Sequence, residues 1–246
     1  MPSGKVYLSG SPGDALLDGM RERLTAVGYS TTVLGQDDED ARALSPVAAG
    51  IDLWRVLGDE RYEAVAALDE RLPPGRPLLS LCTAAGVDEV ASYAVRGERV
   101  VGFSVFGPLR DGMLAEVLPG LGTESGAVAR GKTLLEGLGF TTATLPPGSW
   151  AVLPRVLAMI VNEGAVAVSE GVATAEDIDS AMKLGANYQE GPLTLADTIG
   201  LGEVLAVLEA LHAEYGEDRY RPAPLLRRLV LAGYTGRAAG RGFHLY

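Results

Sequence analysis

This sequence of 246 residues contains one cysteine, Cys82, and two widely separated histidines, His212 and His244. A single cysteine builds no intramolecular disulfide framework, and two distant histidines supply no zinc-ligand spacing, so neither a disulfide scaffold nor a metal is expected. Positive charge is scarce as well: 21 Lys and Arg stand against 32 Asp and Glu, a formal net charge of −11. A phosphate backbone is repelled on average by such a surface, which argues against a non-specific nucleic-acid binder. There is no run of about twenty uninterrupted apolar residues, and the start MPSGKVYLSG lacks a basic segment followed by a long apolar one. The expectation is a cytoplasmic protein with no membrane span.

What the chain has is apolar residues, 47% of the total, and enough length to bury a sizeable core. In the first part, KVYLSG, DALLDGMRERLTAVG and YSTTVLG read as strand, amphipathic helix and strand. That βαβ start implies a parallel sheet. DERYEAVAALDERL continues as a helix, PLLSLC as a strand, VDEVASYAV as a helix and RVVGFSVFG as a strand; MLAEVLPG, GAVARGKTLLEGLG and FTTATLP add strand, helix and strand.

After Pro146-Pro147-Gly148 the strand-like runs stop. VLPRVLAMIVNEGAVAVSEG, TAEDIDSAMKLGA with Thr174 as N-cap, LTLADTIGLGEVLAVLEALHAEYG and APLLRRLVLAG are all helical in pattern. The expected division is a sheet domain over residues 1–148 and a helical domain over 149–246. Pro192 falls in the first turn of a helix, and the Leu-, Val- and Ala-rich faces at 151–168 and 201–211 suit a dimer core.

Two stretches carry candidate chemistry. After the first strand comes Gly10-Ser11-Pro12-Gly13-Asp14-Ala15. A dinucleotide turn needs three spaced glycines, for the tight turn, for approach to the pyrophosphate and for helix packing; here Pro12 and Ala15 hold the second and third places. Gly10 and Gly13 are the candidate cofactor-facing glycines, but Pro12 has no N–H and Asp14 brings negative charge to a helix start that favours phosphate. The plain alternative is an ordinary strand-to-helix turn with Asp14 as a favourable first-turn acid. Where a ribose-binding acid is expected at the end of the second strand stands Gly35, with Asp37 the nearest candidate and Asp38 beyond it; the run 37–40 also reads as a solvated face or a helix start.

The second stretch is GFSVFGPLRDGMLAEV, residues 102–117, which ends a strand, turns at Gly107-Pro108 and sets Glu116 among apolar residues. No histidine, lysine or cysteine beside it can move a proton.

The C-terminal text is specific. VSEGVATAEDIDSAMKLGANYQEGPLTLADTIGL, followed by YRPAPLLRRLVLAGYTGRAAGRGFHLY, resembles the C-terminal domain of the 3-hydroxyacyl-CoA dehydrogenase family over about a hundred residues through EGVA, EDID, AMKLGA, GPL, LAD, IGL, YRP, PLLR and GRGF. The resemblance implies an α/β Rossmann-like parallel-sheet domain that binds NAD, then an all-α dimerisation domain, with an acyl-CoA substrate and a homodimer. It also implies a catalytic histidine–glutamate pair and a substrate-binding serine. Carried over by motif, the histidine's place is held by Ser104, the glutamate by Glu116 and the serine by Thr83; the motif's asparagine is Gly107, and its proline is kept as Pro108. A second asparagine of the family falls near Pro154 if Arg155 is the matching arginine. Asn187, Tyr188 and Pro192 border the family's cleft, with Asn187 the candidate substrate contact.

A serine hydroxyl is a poor general base at neutral pH, so Glu116 is left to take the proton directly or through a water. The alternative roles are structural: Glu116 as a strand-end acid held by backbone or an arginine, and Thr83 as a hydroxyl satisfying local backbone. The chain between the acidic run and DLWRV is also shorter than the family's. Two functions follow: an oxidoreductase acting on a 3-hydroxyacyl-CoA through a remodelled site, or a non-catalytic dimeric paralogue that binds acyl-CoA or a protein partner.

Overall fold

The computed structural model describes residues 4–37 and 46–246. Two compact units divide the chain, Met1–Val105 with Leu109–Ala151, and Phe106–Pro108 with Val152–Tyr246.

In the first unit the elements run β1 (Gly4–Ser9), α1 (Ala15–Ala26), β2 (Tyr29–Val33), β3 (Val47–Asp52), α2 (Asp59–Arg71), β4 (Leu78–Leu81), α3 (Val87–Ala91), β5 (Val100–Ser104), β6 (Leu114–Pro119), α4 (Ser125–Gly137) and β7 (Thr141–Thr144). Among the described residues seven strands lie in the order β2-β1-β3-β4-β5-β6-β7. Every neighbouring pair is parallel except β5 and β6. That one departure from the expected parallel sheet has a simple cause. The stretch from Val105 to Met113 is too short for the crossover a parallel pair needs, and it turns through Gly107, at φ +100, and Pro108.

Core residues cover both faces of this sheet. Leu17, Met20 and Leu24 of α1 and Leu134 and Leu135 of α4 pack with Leu8, Ile51, Leu79, Val101 and Phe103 on one side. Val65 and Leu68 of α2 and Val90 of α3 pack with Leu78, Val100 and Leu118 on the other. Strands buried on both faces read as continuous apolar runs, which is why PLLSLC and RVVGFSVFG are legible as strands. Gly102 is required inside β5, because a Cβ there would lie 2.9 Å from the Leu118 carbonyl oxygen and 3.0 Å from Val87.

The second unit contains α5 (Val152–Ser169), α6 (Ala175–Gly185), α7 (Pro192–Ile199), α8 (Leu201–Tyr215) and α9 (Pro224–Leu231). Thr174 caps α6 in a reciprocal capping box with Asp177, and Pro192 opens α7. The run LTLADTIGLGEVLAVLEALHAEYG is two helices rather than one, broken at Gly200, whose φ of +107 a side chain would resist.

By length and composition alone α5, with mean hydropathy 1.5, is apolar enough to cross a membrane. Within its unit it behaves as a packing helix: Pro154, Ala158, Val161 and Ala165 are buried at helical spacing, and α7, α8 and α9 lie against it. Its buried Asn162 fastens the segment before α9, donating to the Arg221 carbonyl (3.0 Å) and accepting from the Ala223 N–H (2.7 Å).

Two buried aspartates do the same for the chain's end. Asp179 of α6 caps α7 through the N–H groups of Leu193 (2.8 Å) and Thr194 (2.9 Å) and reaches His244 Nε2 at 2.9 Å. Asp197 of α7 accepts from the N–H groups of Phe243 and His244 and from the Tyr246 hydroxyl. The aspartates of EDID and LAD and the closing GRGFHLY are thus one hydrogen-bonded fastening.

Candidate active site

Strand order sets the site. β1 leads to β2 on one side while β3 joins on the other, so the crevice at the carboxyl ends of β1 and β3 is the topological switch point, where open α/β sheets bind ligands. The carboxyl ends of β4 and β5 continue the same edge.

Ser104 is the last residue of β5 and pairs directly with Glu116 of β6. Directly opposed residues of an antiparallel pair share a face, which places the acid beside the hydroxyl. Thr83 follows β4 closely, and its Oγ1 lies 3.2 Å from Ser104 Oγ and 3.2 Å from the Val105 carbonyl oxygen. When Thr83 donates to that carbonyl, Ser104 is the donor between the two hydroxyls. All three side chains are buried: Thr83 is 5% exposed, Ser104 2% and Glu116 4%. The structure therefore brings Thr83, Ser104 and Glu116 into one cluster. Cys82 adjoins Thr83 in sequence, but it packs into the core beside α2 and α3, and burial pushes its thiol up to about 12.

The nucleotide turn is built differently from a phosphate cradle. Ser11-Pro12-Gly13-Asp14 forms a tight turn closed by the Asp14 N–H on the Ser11 carbonyl (3.2 Å), with Gly13 at φ +75. Proline before a positive-φ glycine is the residue order of a type II turn. Asp14 is then the N-cap of α1: its Oδ1 accepts from the Leu16 N–H at 2.8 Å. The same carboxylate receives Arg55, with Nε at 2.7 Å and Nη2 at 3.1 Å. Burial raises the Asp14 carboxyl, but the Arg55 and Leu16 hydrogen bonds and the guanidinium charge outweigh it and hold it below the ordinary carboxylate value. Gly10 is buried against Leu53 and Leu17, and Gly13 is exposed.

Asp37 is likewise engaged within the chain. Its carboxylate accepts from the Val33 N–H (2.9 Å) and pairs with Arg21 (3.0 Å), so it closes the end of β2 instead of standing open to a ribose. Asp38 and the remainder of the acidic run lie outside the described residues. Asn187 lies in the second unit between α6 and α7, exposed and at φ +57, which asparagine tolerates better than most side chains. Arg155 donates to the Tyr220 hydroxyl and stacks over the Tyr215 and Tyr220 rings. His212 is in α8 and His244 is bound to Asp179, and neither belongs to the first unit's cluster. Among the described residues no group of three or more His, Cys, Asp and Glu side chains could hold a metal ion.

Sequence reading missed two partnerships. Arg55 meets Asp14, and Arg61 meets Asp52 at 2.9 Å in a buried network with Ser80 and Ser9. Arg55 lies 41 residues from Asp14, and Ser9, Asp52 and Ser80 stand on three strands that the adjacency of β1, β3 and β4 brings together.

A doubly wound α/β unit with polar side chains at its carboxyl edge, joined to a helical unit, is the organisation on which nucleotide-dependent dehydrogenases are built. The comparisons make this specific. Residues 152–246 match the C-terminal domain of 3-hydroxyacyl-CoA dehydrogenase. A probable 3-hydroxybutyryl-CoA dehydrogenase of Bacillus subtilis is 40% identical over 186 residues, covering 76% of this chain and 65% of that protein. The 3-hydroxybutyryl-CoA dehydrogenase of Mycobacterium tuberculosis is 31% identical over 230 residues, covering 92% of this chain and 78% of that one. The crystal structure of (S)-3-hydroxybutyryl-CoA dehydrogenase from Ralstonia eutropha superposes with a TM-score of 0.79 at 27% identity, covering 98% of both chains. The chain belongs to the 3-hydroxyacyl-CoA dehydrogenase family. It spans less than two thirds of several curated relatives, 65% of the Bacillus subtilis protein and 58% of one from Deinococcus radiodurans.

The family is one of NAD-dependent dehydrogenases acting on acyl-CoA thioesters. The turn after β1 differs from a glycine-rich phosphate cradle in two places: one place for an N–H is proline, and the helix start already holds a carboxylate.

Proposed function

We propose that the protein takes a 3-hydroxyacyl-CoA or 3-oxoacyl-CoA as its ligand and works on the 3-oxygen as an oxidoreductase of its family. The observation that carries this reading is the hydroxyl pair Thr83–Ser104, 3.2 Å apart, with Glu116 opposite Ser104 at the carboxyl edge of the sheet. A hydroxyl pair hydrogen-bonds a carbonyl or hydroxyl oxygen, and a buried carboxylate next to it accepts a proton that a serine alone cannot hold. In the oxidative direction Ser104 and Thr83 would hold the 3-oxygen, its proton would pass to Glu116 directly or through a water, and NAD, when bound, would take the C3 hydride.

The Asp14–Arg55 pair favours a second reading, a paralogue that keeps the thioester ligand without turnover. Titration calorimetry with acetoacetyl-CoA, followed by NADH oxidation in its presence, separates the two. Binding with turnover supports the first and binding alone the second; no acetoacetyl-CoA binding overturns both.

The same reading places the protein in the cytoplasm as a homodimer formed through the helical unit. Support for the dimer comes from apolar side chains left at its surface, Val152 and Val156 on α5 and Leu231 at the end of α9.

A further inference from the structure

Asp14 and Arg55 lie after β1 and β3, the two strands that flank the topological switch point. Their ion pair therefore spans the crevice where a dinucleotide's phosphates sit in this class of sheet. Three features of a bound phosphate are reproduced inside the chain. An anionic oxygen caps the N-terminus of a twelve-residue helix, a backbone N–H donates to it, and a guanidinium chelates it from across the crevice.

We propose that the Asp14 carboxylate is an internal anion that fills the phosphate position of the nucleotide turn, so that a dinucleotide pyrophosphate binds there weakly unless this charge is removed or displaced. An incoming phosphate meets a like charge at the helix start and finds the cation of the opposite loop already engaged. Arg55, which closes the crevice in the native chain, becomes a phosphate ligand once Asp14 is neutral. The two halves of the pair thus have opposite effects on nucleotide affinity, which an ordinary structural ion pair does not have.

The experiment is NADH titration of the purified 246-residue chain, followed by nicotinamide fluorescence at constant ionic strength, for the wild type, D14N, D14S, R55A and D14N/R55A. Asn and Ser keep the N-cap hydrogen bond to Leu16 while removing the charge, so α1 retains its start. D14N and D14S are expected to bind NADH tighter than the wild type by about tenfold or more, and D14N/R55A to lose that gain. R55A alone leaves the carboxylate on the helix and is expected to bind no better than the wild type. Equal affinity of the wild type and a folded D14N or D14S overturns the proposal. So does tighter binding by R55A alone, which is read without any change at Asp14. Acetoacetyl-CoA calorimetry without nucleotide reads the acyl-thioester proposal separately, so failure of one is not failure of the other.

Discussion

Thr83 Oγ1 lies 3.2 Å from Ser104 Oγ, across the adjacent ends of β4 and β5, and both hydroxyls are buried. Where the family's motif implies a serine and a histidine, this chain pairs two hydroxyls. On the proposed function, the exchange keeps hydrogen bonding to an oxygen and leaves the proton-accepting role to Glu116.

Thr83→Val removes a hydroxyl of nearly the same volume and leaves Ser104 and the Val105 carbonyl without that partner. A buried polar group stripped of its partner costs about 1–3 kcal/mol, so the denaturation midpoint should fall measurably. Acetoacetyl-CoA affinity should weaken by about tenfold in calorimetry. Unchanged affinity in a folded T83V would remove Thr83 from the ligand site.

Glu116→Gln keeps the shape of the side chain and deletes its ability to accept a proton. Acetoacetyl-CoA binding should be little changed, while any NADH-dependent turnover, measured in the D14N background, should fall by about a hundredfold. Full turnover in the Gln variant would make Glu116 a strand-end acid with no part in the chemistry.

Arg61 and Asp52 are 1% and 0% exposed at the side chain, an ion pair inside the sheet unit. Arg61→Met leaves Asp52 buried and uncompensated, and a loss of about 3–5 kcal/mol is expected in urea denaturation. The double change Arg61→Met with Asp52→Asn should recover part of that loss, because no unpaired charge remains. If the single and double variants lost the same stability, the effect would be one of packing.

Tyr246 offers a test by pH. Burial first, then the Asp197 charge, pushes its hydroxyl up to about 12. A raised pKa means its stabilising contribution is complete below the ordinary tyrosine value of about 10 and is lost as pH climbs toward the folded value. Asp197→Ala should bring the absorbance titration of Tyr246 back toward about 10 and make the C-terminal segment accessible to carboxypeptidase. An unaltered digestion rate would show that Asp197 does not fasten the chain's end.

Cys82 should resist alkylation in the native state, since it is buried and its thiol sits at about 12. The thiolate fraction at pH 8 is then on the order of 10⁻⁴, and modification should follow global unfolding. Rapid labelling of folded protein would contradict the packing described for β4.

Much of this architecture was legible along the chain, because it depends on neighbours in sequence. The apolar runs of β4 and β5, the Thr174 cap of α6 and the Pro192 start of α7 are local signals, and the ordered motifs of the helical half identified the family. The antiparallel turn into β6 was less legible, since periodicity carries no strand direction. The break at Gly200 was also missed, because apolar spacing runs on across it.

The site divides along the same line. The family resemblance implied that a histidine's place is held by Ser104 and that the hydroxyl of Thr83 and the acid of Glu116 are kept, and the residues themselves showed that Pro12 and Asp14 interrupt the glycine turn. Only the tertiary structure decided what those residues do to one another: Asp14 meets Arg55, Asp37 meets Arg21, and Thr83 meets Ser104. Charge and hydrogen-bonding capacity belong to a residue wherever it stands, but a partnership forms only at contact distance, and contact between loops after different strands is set by the order in which those strands pair.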